Sequence, residues 1–421
     1  MCIVALKRRT NKLKNSPENN KSTSYFQWQK WQSATIQILI AVNNLSLYNW
    51  AMVNTAIIHE WLVTLAGAES VLQSIYKLYP GTIYTLFHDP DQVRGTIYET
   101  ERIKTSVLQR FPLARKHHRF FLPLFPMAVE QFDLREHKII ISSSYAVAKG
   151  ALNSSDQLHI CYCHSPMRYI WDLTFEYLEA AGLKGGIKSF ITRMVLHYIR
   201  MWDVISANRV NEFVANSNYI AHRIWKCYNR QAKVIYPPVD VERFYISEKR
   251  ENYFITVSRL VPYKRLDVII EAFNRLKLPL LIIGEGPSKN MLKSIAGPTI
   301  EFLGQQPHHE VEKLLSKARA FVFSAEEDFG IVNVEAQASG LPVIAFGRGG
   351  ALETVIEGKT GMFFHKQNPV DLVDTINKFL KMEDSFDPCV IRKNAERFPR
   401  SRFEQEFKAF VDDAWERFPY K

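Results

Sequence analysis

The chain has 421 residues, of which 47% are hydrophobic and 13% aromatic, and its formal net charge is +11. This length and composition exclude a disordered protein and leave room for two globular domains with separate cores. The five cysteines are an odd and scattered set, which argues against a disulfide framework and for reduced thiols in the cytoplasm.

The first 51 residues form a basic segment, rich in Asn, Ser and Lys, that carries about half of the positive excess. Its apolar run, residues 34–42, is shorter than the roughly 20 residues that span a bilayer. The segment also lacks the small-residue cleavage site of a secretory signal. We therefore predict a disordered extension at residues 1–51, with Met52, just before the first predicted strand, as a second candidate start.

From residue 55 onward, apolar runs alternate with amphipathic helical stretches, which is typical of a parallel sheet covered on both faces. The helical stretches include residues 68–79 and 184–207. In the first half of the chain the pattern predicts strands at residues 55–58, 81–87, 138–142, 157–162 and 212–215.

The pattern starts again after residue 240, where Pro237 and Pro238 have just stopped any helix, so we place a domain joint at these prolines. We predict an α/β protein with one Rossmann-like domain at residues 52–238 and a second at residues 239–401. Residues 402–417 carry aromatic side chains at helical spacing and are predicted to pack back on the first domain. The strands predicted in the second half are residues 253–257, 279–283, 299–303, 320–323 and 342–345.

The most informative segment, residues 324–353, runs from a strand end through an acidic loop into a helix and another strand. Loops at the carboxyl ends of parallel strands bind ligands, and a helix N-terminus offers free N–H groups to an anion. Glu327 and Glu335 are separated by seven residues, and ionised carboxylates accept hydrogen bonds from vicinal diols. The segment predicts a site for a sugar diphosphate, although either glutamate taken alone is more often a surface residue.

This spacing resembles the E-x7-E signature of retaining glycosyltransferases of group 1, family 4, and looks most similar to that of O-antigen and exopolysaccharide mannosyltransferases. The resemblance implies the GT-B fold, in which two Rossmann-like domains face each other across a cleft. It also implies that Glu327 contacts the donor sugar and stabilises charge at the reacting centre, while Glu335 holds the ribose. Phe329, Gly330 and Ile331, which lie between them, would also bind the donor.

Two cations follow the first strand of the second series, in the sequence Ser-Arg-Leu-Val-Pro-Tyr-Lys at residues 258–264. Cations on a strand-to-helix turn suit phosphate oxygens. By the resemblance, Arg259 and Lys264 clamp the donor diphosphate, and no metal ion or other cofactor is expected. Gly286, in the glycine turn after the next strand, fits the nucleotide loop of the family.

A histidine follows the strand at residues 157–162, in the sequence Cys-His-Ser-Pro-Met-Arg-Tyr at residues 163–169. By the resemblance, His164 faces the donor sugar, where it would hydrogen-bond a hydroxyl or help to move the acceptor proton. Arg168 would lie on the acceptor side of the cleft. A metal site at Cys161, Cys163 and His164 is not expected, because no second Cys/His pair occurs at zinc spacing.

The turn after the first strand, Leu-Ala-Gly-Ala-Glu at residues 65–69, resembles the Gly-Gly-Ala-Glu loop of the family. Backbone amides at Gly67 would approach a donor phosphate, since glycine permits a close approach. Ala66 stands where the family has its first glycine, which puts the geometry of the loop and the full activity in question.

The resemblance implies transfer of a hexose, with GDP-mannose as the first candidate donor and a lipid-linked or polysaccharide acceptor. A UDP-sugar donor remains an alternative, as does a catalytically impaired glycan-binding or scaffold protein of the same fold. A dinucleotide-dependent oxidoreductase would share the alternating pattern, but no G-x-G-x-x-G follows a strand with an acid about 20 residues on.

Basic residues accompany aromatic ones at residues 115–122 and punctuate the helical stretch 184–209. Both segments fit a surface that rests peripherally on anionic lipid at the inner face of the cytoplasmic membrane, although a solvated helical face explains them equally well. Nucleic-acid binding is not expected, because no nucleic-acid motif is present.

Overall fold

The structure, a computed structural model, describes residues 54–64, 66–112 and 114–420. The predicted extension at residues 1–51 lies outside the described residues, and so does Leu65.

The first domain is built on a seven-stranded parallel sheet in the order β3-β2-β1-β4-β5-β6-β7. Its central strands are covered on both faces, and the side chains of Ile139, Ile140 and Ile141 are fully buried. Such continuous apolar runs are expected where helices cover both faces of a parallel sheet. The strands are β1 (Thr55–Leu62), β2 (Thr82–His88), β3 (Ile103–Thr105), β4 (Ile139–Ser144), β5 (Leu158–Cys163), β6 (Glu212–Ala215) and β7 (Ala232–Val234).

The second domain repeats this plan with a six-stranded parallel sheet in the order β10-β9-β8-β11-β12-β13. Two apolar clusters, one on each face, bury its central strands. The strands are β8 (Phe254–Val257), β9 (Leu280–Ile283), β10 (Ile300–Gly304), β11 (Phe321–Phe323), β12 (Val343–Phe346) and β13 (Gly361–Phe364).

Helices connect the strands and cover both sheets, as right-handed parallel crossovers require. In the first domain they are α1 (Gly67–Leu78), α2 (Ala114–His117), α3 (Phe125–Glu130), α4 (Thr174–Ala180), α5 (Gly186–Ser206) and α6 (Asn218–Tyr228). After residue 239 the helices are α7 (Leu266–Leu276), α8 (Lys289–Ile295), α9 (His308–Lys317), α10 (Ile331–Ala338), α11 (Ala351–Thr354), α12 (Pro369–Met382), α13 (Pro388–Ala395) and α14 (Arg400–Arg417).

The chain crosses between the two domains twice, and the two crossings lie side by side. The Val239 N–H donates to the Phe398 carbonyl at 3.0 Å, which joins the proline-rich segment to the residues before α14. Helix α14 then lies against the first domain, where Phe403 and Phe407 pack on Tyr162 of β5. Lys77 of α1 pairs with Glu404 at 2.9 Å on the same face.

Candidate active site

The carboxyl ends of β8 and β11 bring a lysine and a glutamate together. Lys264 follows β8, Glu327 follows β11, and the Lys264 ammonium forms an ion pair with the Glu327 carboxylate. The two side chains are 16% and 17% exposed. The Ser324 hydroxyl donates to the carbonyls of Lys264 at 2.9 Å and Arg265 at 2.7 Å, which fixes the basic turn against the acidic loop.

An arginine of the first domain reaches the same loop. Arg168 Nη2 lies 2.6 Å from Asp328 Oδ1 and 3.9 Å from Glu327 Oε2. Arg223 of α6 approaches the same Asp328 oxygen at 3.3 Å. Arg168, predicted for the acceptor side of the cleft, is therefore bound to the acidic loop of the opposite domain, because Asp328 offers it a half-buried carboxylate.

Glu327 is held as a carboxylate by its neighbours. Burial by itself would raise its pKa, but the charges of Lys264 and Arg168 outweigh burial and lower the pKa below its ordinary value. An ionised carboxylate at this position can stabilise positive charge that develops on a bound sugar.

The glycine loop of the first domain touches the N-terminus of α10 in the second. A Cβ placed on Gly67 would lie 2.8 Å from Cδ1 of Ile331, so the two segments meet across the cleft. Gly330 caps α10 with a φ of +82°, a conformation that favours glycine. Ala66 has a φ of −149°, which any residue adopts, so its departure from the glycine pattern introduces no backbone strain.

Gly286 supports the basic turn through its backbone. A Cβ there would lie 2.3 Å from the Leu260 carbonyl oxygen, so only glycine fits against the turn that carries Arg259. Arg259 is exposed, and its charge contributes, after burial and Arg119, to the lowered pKa of His118 in the first domain. The charge of Arg259 therefore reaches the first domain electrostatically.

The ring of Phe329 points into the core, where it packs 5.6 Å from Tyr236 and 5.3 Å from Phe398. Any contact of Phe329 with a donor must therefore come from its backbone. That backbone is braced by Gly350, whose N–H donates to the Glu327 carbonyl at 2.8 Å.

Glu335 lies on α10, half-buried and apart from the Lys264–Glu327 pair. Burial raises its pKa to about 7, against the charge of Arg243, and the acids Asp240 and Glu312 add to the rise. Its carboxylate has no hydrogen-bond partner among the described residues. The predicted role of Glu335 in holding the donor ribose stays a prediction.

His164 lies directly after β5 and is half-buried. Burial, with a smaller effect of the neighbouring His59 ring, lowers its pKa to about 3, so the ring is neutral near pH 7. The His164 carbonyl accepts a hydrogen bond from Asn216 Nδ2 at 3.0 Å. The hydroxyl of Ser217, which follows Asn216, donates to the Asp328 carbonyl at 2.6 Å. This short bridge links the histidine to the acidic loop.

Several residues of the site were not singled out in the sequence. Asp328 lies inside the Glu327–Glu335 segment but has no spacing signal of its own, and Arg223 lies in the middle of α6 without any motif. The pair Gly349-Gly350 did carry a sequence signal, because adjacent glycines after a strand often mark a close approach between two backbone segments.

In the part of the chain that the structure describes, no cluster of three or more His, Cys, Asp or Glu side chains is arranged to hold a metal ion. None of the described helices is both long and apolar enough to cross a bilayer.

Comparison with known proteins assigns both domains. A family model for glycosyltransferase family 4 matches residues 82–243, and one for glycosyl transferases group 1 matches residues 240–398. The chain belongs to the GT-B glycosyltransferase superfamily. An uncharacterized glycosyltransferase of Methanocaldococcus jannaschii is 26% identical to it over 293 residues, which are 68% of this chain and 78% of that protein. The alpha-1,3/1,6-mannosyltransferase alg2 of Schizosaccharomyces pombe is 26% identical over 257 residues, and the match spans about half of each protein, 49% of this chain and 48% of alg2.

Solved GT-B structures resemble the whole described fold. HepE of Anabaena in complex with UDP-glucose superposes with a TM-score of 0.64 at 18% identity, covering 85% of this chain and 99% of HepE. Sucrose-phosphate synthase from Thermosynechococcus elongatus gives a TM-score of 0.67 at 15% identity, covering 86% and 99%. The prediction of two facing Rossmann-like domains is confirmed.

Proposed function

We propose that this GT-B glycosyltransferase is a retaining enzyme that transfers a hexose from a nucleotide-sugar to a lipid-linked or polysaccharide acceptor. The observation that carries the proposal is the ionic group formed by Lys264, Glu327 and Arg168, which joins both domains at the carboxyl ends of their strands. In open α/β sheets this edge is where ligands bind.

The donor diphosphate lies between the two domains in this proposal. Its oxygens accept hydrogen bonds from the Gly67 backbone and the N-terminus of α10, and Lys264 and Arg259 neutralise its charge. Lys264 leaves its ion pair with Glu327 to bind the phosphate, and the Glu327 carboxylate is then free to approach the sugar. Glu335 accepts hydrogen bonds from the ribose hydroxyls.

In the proposed reaction the bond between the anomeric carbon and the phosphate oxygen breaks, and that bond's electron pair leaves with the nucleoside diphosphate. The acceptor hydroxyl attacks the same face of the sugar, so the anomeric configuration is retained. As its oxygen bonds to the anomeric carbon, the hydroxyl gives its proton to His164. Lys264 and Arg259 stabilise the departing charge, and Glu327 stabilises the positive charge on the sugar. Closure of the domains about residues 236–240 limits hydrolysis by water.

GDP-mannose is our first candidate for the donor, and a UDP-sugar is the alternative. The name of alg2 describes a mannosyltransferase, while HepE was solved with UDP-glucose. The sequence Glu-Asp-Phe-Gly at residues 327–330, followed by Glu-Ala-Gln-Ala at 335–338, supports mannose through its resemblance to O-antigen mannosyltransferases.

Helix α5 supports peripheral binding to an anionic membrane. Its outer face exposes a continuous row of large apolar side chains at helical spacing, and its one acidic residue, Asp203, is buried. The exposed cations Lys188 and Arg193 flank the row, which matches an anionic lipid surface that also accepts apolar side chains. The apolar row consists of Ile187, Phe190, Ile191, Met194, Tyr198, Met201 and Ile205.

The test is to offer GDP-mannose, UDP-glucose, UDP-galactose and UDP-N-acetylglucosamine together with a membrane lipid extract and to measure which nucleoside diphosphate is released. We expect release from one donor, and a loss of about 100-fold or more in kcat for Glu327→Gln and Lys264→Ala. Glu310→Gln and Lys313→Ala, an exposed acid–base pair of α9, are the matched controls and should keep full activity. Donor binding by the wild-type protein without any release would instead support the catalytically impaired alternative.

A further inference from the structure

Three neighbouring strands of the first sheet place polar side chains in a row at their carboxyl ends. His59 of β1 is in register with Ser143 of β4, and His164 follows the adjacent β5. His59 Nδ1 lies 3.2 Å from Ser143 Oγ, which lies 2.8 Å from His164 Nε2. Glu69 of α1 continues the row, with Oε1 3.1 Å from His59 Nε2. Four side chains thus form one hydrogen-bonded chain.

The direction of each hydrogen bond in this row of four side chains follows from the Glu69 carboxylate at one end. A carboxylate only accepts, so His59 Nε2 carries the hydrogen that is donated to Glu69. A neutral His59 then accepts at Nδ1 from the Ser143 hydroxyl, whose single hydrogen is used there. The Ser143 oxygen must accept from His164 Nε2–H, which leaves His164 Nδ1 unprotonated. Nδ1 has no partner among the residues that the structure describes.

We propose that Glu69, His59 and Ser143 are positioning residues that fix the tautomer of His164 and provide a path for a proton to leave it. The inference rests on the proposed function, in which His164 meets a sugar hydroxyl. When the hydroxyl O–H bond breaks, the oxygen keeps the electron pair and the proton binds His164 Nδ1. The Nε2 proton moves to Ser143 Oγ, and the Ser143 proton moves to His59 Nδ1. The reverse movement returns the proton to water or product.

His59 is the end of this path because its second ring nitrogen is hydrogen-bonded to the Glu69 carboxylate. The low pKa of His164 disfavours an imidazolium there, whereas His59 lies beside the Glu69 carboxylate with both side chains buried, 0% and 6% exposed. The Ala66 N–H donates to the second Glu69 oxygen at 2.5 Å and holds that carboxylate in place. The Tyr145 ring packs edge-on against both histidines. Two further charged groups lie near this row of side chains, since Glu60 raises and Arg119 lowers the pKa of Tyr145.

The adjacent serine provides a matched control. Ser142 is also fully buried in β4, and its hydroxyl is 2.9 Å from His159 Nε2. Successive strand residues point to opposite faces, so Ser142 lies outside the relay. The measurements are kcat and KM for sugar transfer, and the ring ¹⁵N shifts of His164, assigned with His164→Asn.

We expect Ser143→Ala to lower kcat about tenfold or more with little change in KM, and to add a His164 population that is protonated at Nδ1. Ser143→Thr, which keeps the hydroxyl, should restore both properties, and Ser142→Ala should match the wild type. Equal kcat in the two alanine variants, together with an unchanged His164 tautomer, overturns the inference. A wild-type protein that transfers no sugar refutes the proposed function, and the ¹⁵N shifts then decide the positioning role by themselves.

Discussion

Arg168 of the first domain donates to the Asp328 carboxylate of the second, with Nη2 and Oδ1 2.6 Å apart. The Arg223 guanidinium shares the same oxygen at 3.3 Å, and the Ser217 hydroxyl binds the Asp328 carbonyl at 2.6 Å. One acidic residue, next to Glu327 in the sequence, therefore receives three donors from the opposite domain. These contacts hold the two domains together at the cleft.

Replacement of Asp328 by asparagine should open the cleft. The substitution removes the negative charge that Arg168 and Arg223 share. Because each hydrogen bond to a charged group contributes about 1.5–3 kcal/mol, the contact between the domains should weaken, and we expect kcat/KM to fall about tenfold or more. Small-angle X-ray scattering should show a larger radius of gyration. Asp133→Asn, which affects an exposed pair with Arg135 inside one domain, is the control and should change neither quantity.

Donor binding should depend on the ionisation of Glu335, whose pKa burial raises to about 7. If the carboxylate accepts ribose hydroxyls, the donor KM should rise as the pH falls below about 7, and Glu335→Gln should remove this dependence. The stability of the fold should change with pH in the opposite direction to donor binding, because the folded state favours the protonated form of Glu335. This contribution to the free energy of unfolding is complete below the unfolded pKa near 4.5, and it is lost as the pH rises through about 7. A KM that varies equally with pH in the glutamine variant contradicts the role.

A single methyl group at Gly350 should disable the acidic loop. Its Cβ would lie 2.3 Å from the Phe329 Cα, a backbone atom that cannot move without displacing Glu327. We expect Gly350→Ala to lose most transferase activity and to lower the melting temperature. Gly185→Ala, which meets no atom within 4 Å, is the control, and similar losses in both variants would argue against a specific clash.

The buried ion pair of Lys149 and Asp203 should contribute strongly to the stability of the first domain. Asp203 also accepts from Trp171 Nε1 at 2.8 Å and from the Tyr228 hydroxyl at 2.9 Å. Lys149→Met leaves this carboxylate without its cation, which should cost about 3–5 kcal/mol of unfolding free energy. Urea unfolding followed by tryptophan fluorescence measures the loss. Lys138→Met, in an exposed pair with Asp156, should cost less than about 1 kcal/mol.

Membrane binding should depend on the outer face of α5. Met194→Asp places a negative charge in the middle of the apolar row and should reduce cosedimentation with vesicles of anionic phospholipid. Met291→Asp is the matched control, because Met291 in the second domain is 50% exposed and Met194 is 54% exposed. Equal binding of both variants would assign the exposed row to another partner.

The alternating pattern predicted most of both sheets because buried parallel strands are continuous apolar runs. Every strand predicted in the two series is present within a few residues. The pattern missed β3, β7 and β13, which all lie at sheet edges. β3 and β7 have three residues each and include exposed side chains, whereas β13 is a largely buried run of four residues. Edge strands with a solvent face carry too little apolar signal to be distinguished from loops.

The sequence predicted only part of the candidate site. The motif at residues 324–353 predicted that Glu327 belongs to a ligand site, and the structure adds that its carboxylate pairs with Lys264. No local pattern indicates that His59, Ser143 and His164 form one hydrogen-bonded row, because the sheet order alone makes β1, β4 and β5 neighbours. Nor does spacing reveal which way a loop side chain points, as the buried ring of Phe329 illustrates.

Tyr162 in the middle of the first domain packs against Phe403 and Phe407 near the other end of the chain. On the ribosome, residues 54–234 emerge long before these two rings do. A nascent chain that stops short of residue 400 therefore leaves Tyr162 of β5 without these two rings. We expect this face of the amino-terminal domain to finish packing only after the carboxyl-terminal helix has been synthesised, so a chain truncated before residue 400 should aggregate more readily than the full chain.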